Sequence, residues 1–235
     1  MLVGRRVTEL AKLSQQINDA GGESRIVAAD ITTGDGRTLI VNEATRIFGG
    51  IDLLINNAGI SDFSSFIQCE PALIERIYKT NVTAPMLLTR AVLPQMVEQG
   101  SGRIVNIGSI FGSIGFAYFA TYASSKFALR GFSESLRREL SGTGVNVSYI
   151  APRAVKTASN SEAVYRMAEA VKMKMDDPKV IAHWITRCIE KDKKDAYYGL
   201  SESIFVKLNG ILPRLVDKGL GKQNKVMRPY AEPVN

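Results

Sequence analysis

A tyrosine and a lysine four residues apart, in the stretch TYASSKFALRGF, are the side chains of this sequence best suited to acid–base chemistry. Tyr122 and Lys126 fall on one face of a predicted helix, because positions i and i+4 are neighbours there. An ammonium beside a phenol favours the phenolate and lowers the phenol pKa from its usual value of about 10. Tyr122 is therefore a candidate general acid or base, and a surface Tyr–Lys pair is the ordinary alternative.

Further polar residues end or interrupt other predicted elements. Ser109 closes an apolar strand, where its hydroxyl and that of Tyr122 could together hold a carbonyl oxygen. Asn56–Gly59 close another apolar strand, and this turn-forming, small-residue sequence lets a ligand approach the backbone. Asn81 lies inside a long predicted helix, where asparagine is mildly unfavourable. It marks either a local distortion with a functional purpose or a tolerated surface residue.

Strands and helices alternate along the whole chain. Strands are predicted at residues 1–3, 22–30, 51–59, 102–109 and 145–152, and helices at 7–17, 36–48, 72–97 (with Pro85 as the place for a bend) and 122–140. Because the strands are nearly all apolar, they are expected to be buried on both faces, which is typical of a parallel sheet covered by helices. In such sheets ligands bind at the carboxyl ends of the strands, where Asp30, Asn56–Gly59, Ser109 and Pro152 fall.

The composition favours an anionic partner and a reducing compartment. The 30 Lys and Arg residues against 23 Asp and Glu give a formal net charge of +7, which suits nucleic acid, a membrane surface or a phosphorylated cofactor. No zinc-finger or RNP-type motif supports nucleic acid, and no apolar run reaches the roughly 18 residues of a membrane span. Cys69 and Cys188 fit no metal spacing and are expected to be free thiols, so a cytoplasmic location is predicted.

The motifs NNAG (Asn56–Gly59), a helical Asn81, Ser109 and YxxxK (Tyr122 with Lys126), in this order, resemble those of the short-chain dehydrogenase/reductase family, from Met1 to about Gly199. The resemblance implies an α/β fold with a Rossmann-like, doubly wound parallel sheet in three layers, α/β/α. It implies that Tyr122 donates or accepts the proton and that Ser109 orients the substrate carbonyl. Lys126 would lower the tyrosine pKa and bind the nicotinamide ribose, and Asn81 would hold a proton-relaying water.

A nicotinamide cofactor is also implied by the resemblance. Its binding residues would be Arg5, Arg6, Asp30, Ile31, Asn57, Ala58, Gly59, Tyr122, Lys126, Pro152, Val155 and Thr157, with Asp30 against the adenine and Thr157 at the nicotinamide carboxamide, and no metal site is expected. Gly4 stands where NAD-preferring members usually have an acidic residue. Arg5, supported by Arg6, could pair with a 2′-phosphate, so NADP(H) is predicted over NAD(H).

Two departures from the family pattern stand out. The TGxxxGxG loop has no match, and Met1–Arg6 resembles the family's second strand and turn. We therefore expect an N-terminally truncated sheet lacking a first strand–loop–helix unit of about 30 residues, with weak dinucleotide binding. That strand would be central, so its neighbours would keep unpaired backbone groups unless the second strand shifts inward. Arg153 replaces the family's usual glycine and adds bulk and charge near the nicotinamide site.

The loop and the tail bear on substrate and partners. The apolar loop residues Ile110, Phe111, Ile114, Phe116, Tyr118 and Phe119 suit an apolar carbonyl substrate, or they pack against the protein or a partner. We expect a catalytic domain at residues 1–200 and an amphipathic helical extension of it at 201–235, interrupted at Pro213. Its stripe, Ile204, Phe205, Leu208, Ile211, Leu212, Leu215 and Val216, is expected to dock on its own domain or a partner subunit. Membrane-surface contact through residues 201–222 is the less favoured alternative.

The function predicted from these features is an NADP(H)-dependent oxidoreductase that interconverts a carbonyl and an alcohol on an apolar small molecule. The family resemblance further implies a homodimer or homotetramer. The alternative is a non-catalytic relative used for binding or assembly, which the unmatched glycine loop favours and the complete set of Asn81, Ser109, Tyr122 and Lys126 opposes.

Overall fold

The computed structural model describes residues 1–232 and has the predicted alternation of strands and helices. The elements in chain order are β1 (Leu2–Gly4), α1 (Val7–Asp19), β2 (Ile26–Ala28), α2 (Gly34–Phe48), β3 (Leu53–Asn56), α3 (Pro71–Tyr78), a π-helical segment (Lys79–Thr83), α4 (Ala84–Glu98), β4 (Gly102–Ile107), α5 (Ala120–Glu139), β5 (Val145–Ala151), α6 (Glu162–Ala170), α7 (Pro178–Glu190), β6 (Asp195–Tyr197), α8 (Leu200–Ile211) and α9 (Pro213–Ala231). No helix within residues 1–232 is long and apolar enough to cross a membrane.

All strand pairs are parallel, and the strands form two sheets. One has the order β1–β2, and the other has the order β3–β4–β5–β6. Within residues 1–232, β1 and β3 do not pair, so the alternative in which β1 shifts inward is wrong. The two sheets are joined by side-chain packing, because Val27 of β2 and Leu54 of β3 share a cluster with Ile40 and Leu88.

Helices cover both faces of the larger sheet, which confirms the three-layer arrangement. On one face Ile104 and Val147, which are cross-strand partners, pack against Val92 of α4 and Leu136 of α5. On the other face Val105 and Ile150 pack against α7. The two successive residues Ile104 and Val105 point to opposite sides and both are completely buried, as expected for a strand between two helical layers.

The long helical region predicted at 72–97 is interrupted, although not at Pro85. α3 ends at Tyr78, the π-helical segment Lys79–Thr83 follows, and α4 then starts at Ala84. Pro85 lies in the first turn of α4, directly after the π-helical segment, and Thr83 and Ala84 before it have helical backbone angles, so the helical path continues through the proline. Asn81 lies within the π-helical segment, in agreement with the distortion predicted as one reading of this residue.

The amphipathic tail docks on the domain with only part of its predicted stripe. Helix α8 ends at Ile211 and α9 restarts at Pro213, as predicted. Val216, together with Val206, packs against Ile110 and Ile114, and Phe205 and Leu208 join them. The other members of the stripe, Ile204, Ile211, Leu212 and Leu215, are exposed. The chain's own domain therefore covers only part of the stripe, because the buried face of α8 is centred on Val206. Docking of the exposed members on a partner subunit stays a prediction. Residues 233–235 of the predicted extension lie outside the described part of the chain.

Candidate active site

The predicted site residues lie at the edge of the sheet where the parallel strands end. Asn56 is the last residue of β3, Ile107 the last of β4 and Ala151 the last of β5. Helix α5 begins at the same edge and carries Tyr122 and Lys126 in its first two turns. Parallel pairing alone brings these strand ends together, which is why residues far apart in sequence converge.

The start of α5 is held by a buried carboxylate that the sequence did not single out. The Tyr122 backbone N–H donates to Oδ1 of Asp62 at 3.0 Å, and Asp62 is 6% exposed. A carboxylate at a helix N-terminus accepts from an N–H that has no partner within the helix. Asp62 thereby fixes the height of Tyr122 above the sheet edge. Asp62 is 60 residues away in the chain, so only the fold reveals the contact.

The phenol of Tyr122 lies in an apolar environment. Its ring meets Phe111 edge-on, with ring centroids 6.3 Å apart. Burial raises the pKa of the phenol, an interaction with the Ser109 side chain opposes the rise, and the Asp62 carboxylate adds to it. The net direction is upward, opposite to the prediction from the Tyr–Lys spacing. Desolvation disfavours the phenolate, and this effect is larger than the stabilisation of the phenolate by Ser109.

Lys126 is buried and points to the end of β4. Its Nζ donates to the Ile107 carbonyl at 2.9 Å and lies 5.8 Å from the centroid of the Tyr122 ring. The residue is 4% exposed, and this burial lowers the pKa of the ammonium to about 8. One of the three N–H groups of the ammonium is used by Ile107, which leaves donors for another ligand.

Asn81 holds the turn that follows β3. Its Oδ1 accepts from the Ile60 N–H at 2.9 Å, and its Nδ2 donates to the Ile60 carbonyl at 2.9 Å and to Ser125 Oγ at 3.0 Å. A Cβ added to Gly59 would lie 3.4 Å from Asn81 Oδ1 and 3.6 Å from Lys126 Nζ. The turn therefore lies within van der Waals reach of both side chains. Both N–H groups of the Asn81 side chain are engaged, so a water held by this side chain would have to donate to the remaining lone pair of Oδ1.

Ser109 is positioned by a second residue that the sequence did not indicate, Tyr149 of β5. The Tyr149 hydroxyl donates to the Ser109 carbonyl at 3.1 Å and accepts from the Ser109 N–H at 3.3 Å. Tyr149 is completely buried, and a Cβ at Gly108 would lie 2.1 Å from its ring. Ser109 Oγ accepts from the Phe111 N–H at 3.1 Å, which leaves its own O–H to donate. Tyr149 stands in an apolar strand, where a tyrosine ordinarily indicates packing.

A buried amide network ties the NNAG turn to the sheet and helices. Asn56 Nδ2 donates to Asn106 Oδ1 at 2.8 Å and to Thr89 Oγ1 at 3.2 Å, and Asn106 Nδ2 donates to Ser133 Oγ at 2.9 Å. Asn57, Ala58 and Gly59 follow this anchor and are exposed at the sheet edge. The turn is thus anchored to the sheet and to α4 through Asn56, while its next three residues are accessible to a ligand.

At the smaller sheet, Arg5 and Asp30 come together. Arg5 Nη1 lies 3.8 Å from Asp30 Oδ2, and Arg5 is largely exposed. Asp30 Oδ1 also accepts from the Thr32 N–H and hydroxyl at 2.8 and 2.7 Å, and these bonds lower the pKa of the carboxyl. Arg6 is exposed beside Arg5, and Ile31 is half-buried. These residues follow β1 and β2 and lie on a separate sheet from Ser109.

The loop after β5 is organised by Arg153. Its guanidinium pairs with both Asp176 oxygens and reaches Glu202 Oε1 at 2.7 Å, so it turns toward α8. Val155 forms a bridge to Asp176, while Pro152 is buried and accepts from the Ile110 N–H at 3.1 Å. Thr157 is half-buried, and its carbonyl accepts from the Tyr165 hydroxyl at 2.9 Å. The sequence predicted that Arg153 would add bulk and charge near the nicotinamide site. In the structure its charge is neutralised by the ion pairs with Asp176 and Glu202.

The fold and the site define a doubly wound, Rossmann-like α/β protein with polar side chains gathered at the carboxyl ends of its strands. A model of the short chain dehydrogenase family matches residues 1–168. The chain belongs to this family, and the predicted family is confirmed.

Individual relatives agree in sequence and in shape. The ketoacyl reductase HetN of Nostoc sp. is 37% identical over 189 residues, which cover 80% of this chain and 65% of HetN. A short-chain dehydrogenase from Streptomyces avermitilis superposes with a TM-score of 0.75 at 26% identity, over 95% of this chain and 88% of that one. A metagenomic short-chain oxidoreductase in complex with NADP gives a TM-score of 0.63 at 33% identity, over 66% and 72% of the two chains. The chain spans between 60% and 65% of the length of the first curated relatives that it matches.

Proposed function

We propose that this protein is an NADP(H)-dependent oxidoreductase that interconverts a carbonyl and an alcohol on an apolar small molecule. The observation that supports this most is the convergence of Ser109, Tyr122 and Lys126 at one sheet edge, with Asn81 behind them. Lys126 reaches the end of β4 just before Ser109, and the Ser109 side chain interacts with the phenol. We also propose the cytoplasm as the location.

The residues present suit a nicotinamide cofactor at the sheet edge. The Asn57–Gly59 turn is open, and the position that a Cβ of Gly59 would fill lies within 3.6 Å of Lys126 Nζ. In the proposal, Lys126 binds the ribose hydroxyls with its remaining donors, while Pro152, Val155 and Thr157 border the nicotinamide. Arg5, Arg6, Asp30 and Ile31 would hold the adenosine end. The bound cofactor supplies or accepts the hydride.

The chain's own residues would handle the proton and the carbonyl oxygen. Ser109 donates its O–H to the carbonyl oxygen, since its oxygen already accepts from the Phe111 N–H. Tyr122, kept protonated by burial, gives its proton to the same oxygen in the reductive direction. The charged form of Lys126 stabilises the resulting phenolate. Asn81 and Tyr149 keep the turn and Ser109 in place.

The surroundings of Tyr122 favour an apolar substrate. Phe111 stacks on Phe116 with centroids 4.7 Å apart and meets Phe119 at 5.1 Å, so aromatic carbon borders the phenol. These rings also pack on Met167 and Met227, which supports the alternative in which the loop packs against the protein itself. The substrate-binding role of the loop is part of the proposal. The similarity to a ketoacyl reductase makes a ketone on an aliphatic chain the first compound to assay.

The decisive experiment replaces Tyr122 by Phe. We expect turnover with NADPH and a panel of apolar ketones to fall at least about a hundredfold, the contribution of a positioned general acid. Far-ultraviolet circular dichroism and NADPH fluorescence titration should match the wild type, because only the hydroxyl is removed. Tyr78→Phe, at an exposed position at the end of α3, is the matched control and should keep full activity. Equal turnover in the Tyr122→Phe variant and the wild type would refute the assigned role.

The preference for NADP(H) rests on the cations after β1. Arg5 is 75% exposed and held only by a long 3.8 Å contact to Asp30, so its guanidinium can turn to a 2′-phosphate. We expect Arg5→Asp to raise the dissociation constant for NADPH more than tenfold and to change that for NADH little. The titration must extend to high cofactor concentration, because no TGxxxGxG loop occurs in the sequence. An unchanged NADPH/NADH ratio would exclude Arg5 as the phosphate ligand.

A further inference from the structure

Helices α8 and α9 expose a group of large apolar side chains that no other part of the described chain covers. Leu200, Ile204, Ile211, Leu212 and Leu215 are 80%, 59%, 77%, 52% and 54% exposed, respectively. We call these five residues the apolar corner. The opposite side of α8 is buried through Val206. The corner is therefore an outer face of a helix pair that is otherwise docked.

Helix geometry places the α8 members of the corner on one side of that helix. Leu200, Ile204 and Ile211 are separated by four and seven residues, so they fall within an arc of roughly 40° on α8. Leu212 and Leu215 follow at the junction of α8 and α9, directly after Ile211. Single exposed apolar residues are ordinary, whereas three large ones on one side of a helix, followed by two more at its end, are typical of an interaction surface.

Positive charge borders the corner. Lys207 lies on the same face of α8 as the three apolar residues, and Arg214, Lys218, Lys222 and Lys225 lie on one exposed side of α9. The buried residues of α9, including Val216 and Met227, lie on its opposite side. Asp217 is the acidic residue among these cations and is 3.7 Å from Arg214. The surface thus combines apolar side chains with an excess of cations.

We propose that the apolar corner docks on an anionic membrane surface, with the cations of α8 and α9 at the phosphate headgroups. Leu and Ile side chains would enter the boundary between headgroups and acyl chains, and each nearby Lys or Arg would add electrostatic attraction. A second copy of this chain is a poorer occupant. Two-fold pairing would bring the same cations of both copies together, and like charges oppose such an interface.

The inner face of α8 links this surface to the candidate active site. Phe205 and Leu208, on the buried side of the helix, pack against Ile110 and Ile114 of the loop that follows Ser109. A membrane-bound protein would therefore hold that loop one helix away from the lipid. Membrane binding itself depends on the exposed side of α8 and on α9, and it is independent of the proposed oxidoreductase function.

Vesicle sedimentation of the full chain tests the proposal. We expect the wild type to sediment with vesicles of phosphatidylcholine and phosphatidylglycerol, and less with phosphatidylcholine alone or in high salt. The variant Ile211→Gln/Leu215→Gln should bind at least about tenfold more weakly, because both side chains leave the lipid. Lys218→Gln/Lys222→Gln should lose about as much on the anionic vesicles only.

The control variant is Leu39→Gln/Val180→Gln, which removes two apolar side chains with comparable exposure from α2 and α7. It should bind like the wild type, and all variants should have the same circular dichroism. Absence of wild-type sedimentation, or equal binding of the wild type and the Ile211/Leu215 variant, would overturn the proposal. Analytical ultracentrifugation is run in parallel. A wild-type dimer that this variant converts to a monomer would also overturn it, in favour of a protein interface.

Discussion

At the residue scale, Lys126 places a buried ammonium in the candidate site, where its charged form is unfavourable. The ammonium is 4% exposed, and burial lowers its pKa to about 8 from the usual 10.5. Its described hydrogen bond, to the Ile107 carbonyl, only partly compensates the loss of water. A buried ammonium with unused N–H donors is available to bind an anion or a diol. Its desolvation lowers the free energy of unfolding of the protein.

We therefore predict that Lys126→Met stabilises the protein. At pH 7 the free energy of unfolding should rise by on the order of 1–3 kcal/mol, because one pKa unit corresponds to about 1.4 kcal/mol and the Ile107 hydrogen bond is lost. Between pH 8 and 10 the unfolded lysine keeps its proton while the native one loses it. Wild-type stability should therefore rise with pH over this range, and that of the variant should not.

Urea denaturation at pH 7 and pH 9 measures both effects. The exposed Lys218→Met is the control and should change stability by less than about 0.5 kcal/mol. A destabilised Lys126→Met protein, with the pH dependence of the wild type, would show that the buried ammonium contributes no net cost.

At the element scale, one ion-pair cluster joins the loop after β5 to α8. Arg153 contacts Asp176, which bridges to Val155, and Glu202 in the first turn of α8. Asp176 is 8% exposed as a residue, and pairing with Arg153 lowers the pKa of its carboxyl. The Arg153 guanidinium also lies over the Tyr198 ring, 5.2 Å from its centroid. The cluster thus connects the proposed nicotinamide loop to the tail.

We predict that Asp176→Asn lowers the free energy of unfolding by about 1–3 kcal/mol, the usual cost of removing a charged hydrogen-bond partner from a largely buried cation. A carboxyl with a lowered native pKa stabilises the fold above its unfolded pKa of about 3.9. The difference between the wild type and the variant should therefore shrink as the pH falls below about 4.

The control is Asp217→Asn, which removes one member of the exposed pair with Arg214. Such pairs contribute little, so urea denaturation should show a change below about 0.5 kcal/mol. An equal decrease in the free energy of unfolding in both variants would mean that the Arg153–Asp176 pair stabilises the protein no more than an exposed ion pair does.

At the scale of the whole molecule, the long helices present a second apolar surface. Met86 and Val97 of α4 and Phe127 of α5 are about two-fifths exposed, and Tyr78 precedes them at the end of α3. Helix α4 carries one basic residue, Arg90, against five in α9. The family resemblance implies association through these helices.

We predict that the protein is a homodimer or homotetramer and that Met86→Glu/Phe127→Glu lowers its association state. Two carboxylates facing their symmetry-related copies would oppose burial of the helix faces. Sedimentation-equilibrium analysis over a range of protein concentrations measures the effect, and Leu39→Glu/Val180→Glu is the control. A monomeric wild type would contradict the prediction.

Much of the architecture follows from the sequence, because it depends on local pattern and on strand direction. Apolar strands alternating with amphipathic helices require a parallel sheet in layers, and a parallel sheet places all its strand ends at one edge. Asn56–Gly59, Ser109 and Tyr122 could therefore be expected to converge, and they do. The distortion at Asn81 was also readable, since asparagine is unfavourable inside a helix.

The remaining features depend on tertiary packing. Asp62 and Tyr149 position Tyr122 and Ser109 across 60 and 40 residues of sequence, and Arg153 finds its partners at Asp176 and Glu202. The pKa of Tyr122 moves upward because burial, which the Tyr–Lys spacing does not encode, outweighs local hydrogen bonding. Likewise, the sequence predicts an apolar stripe along the tail, whereas the packing of α8 on the domain determines which residues of that stripe stay exposed. Sequence pattern determines the order and type of elements; burial and long-range contacts, which set charge states and surfaces, exist only once the elements have packed.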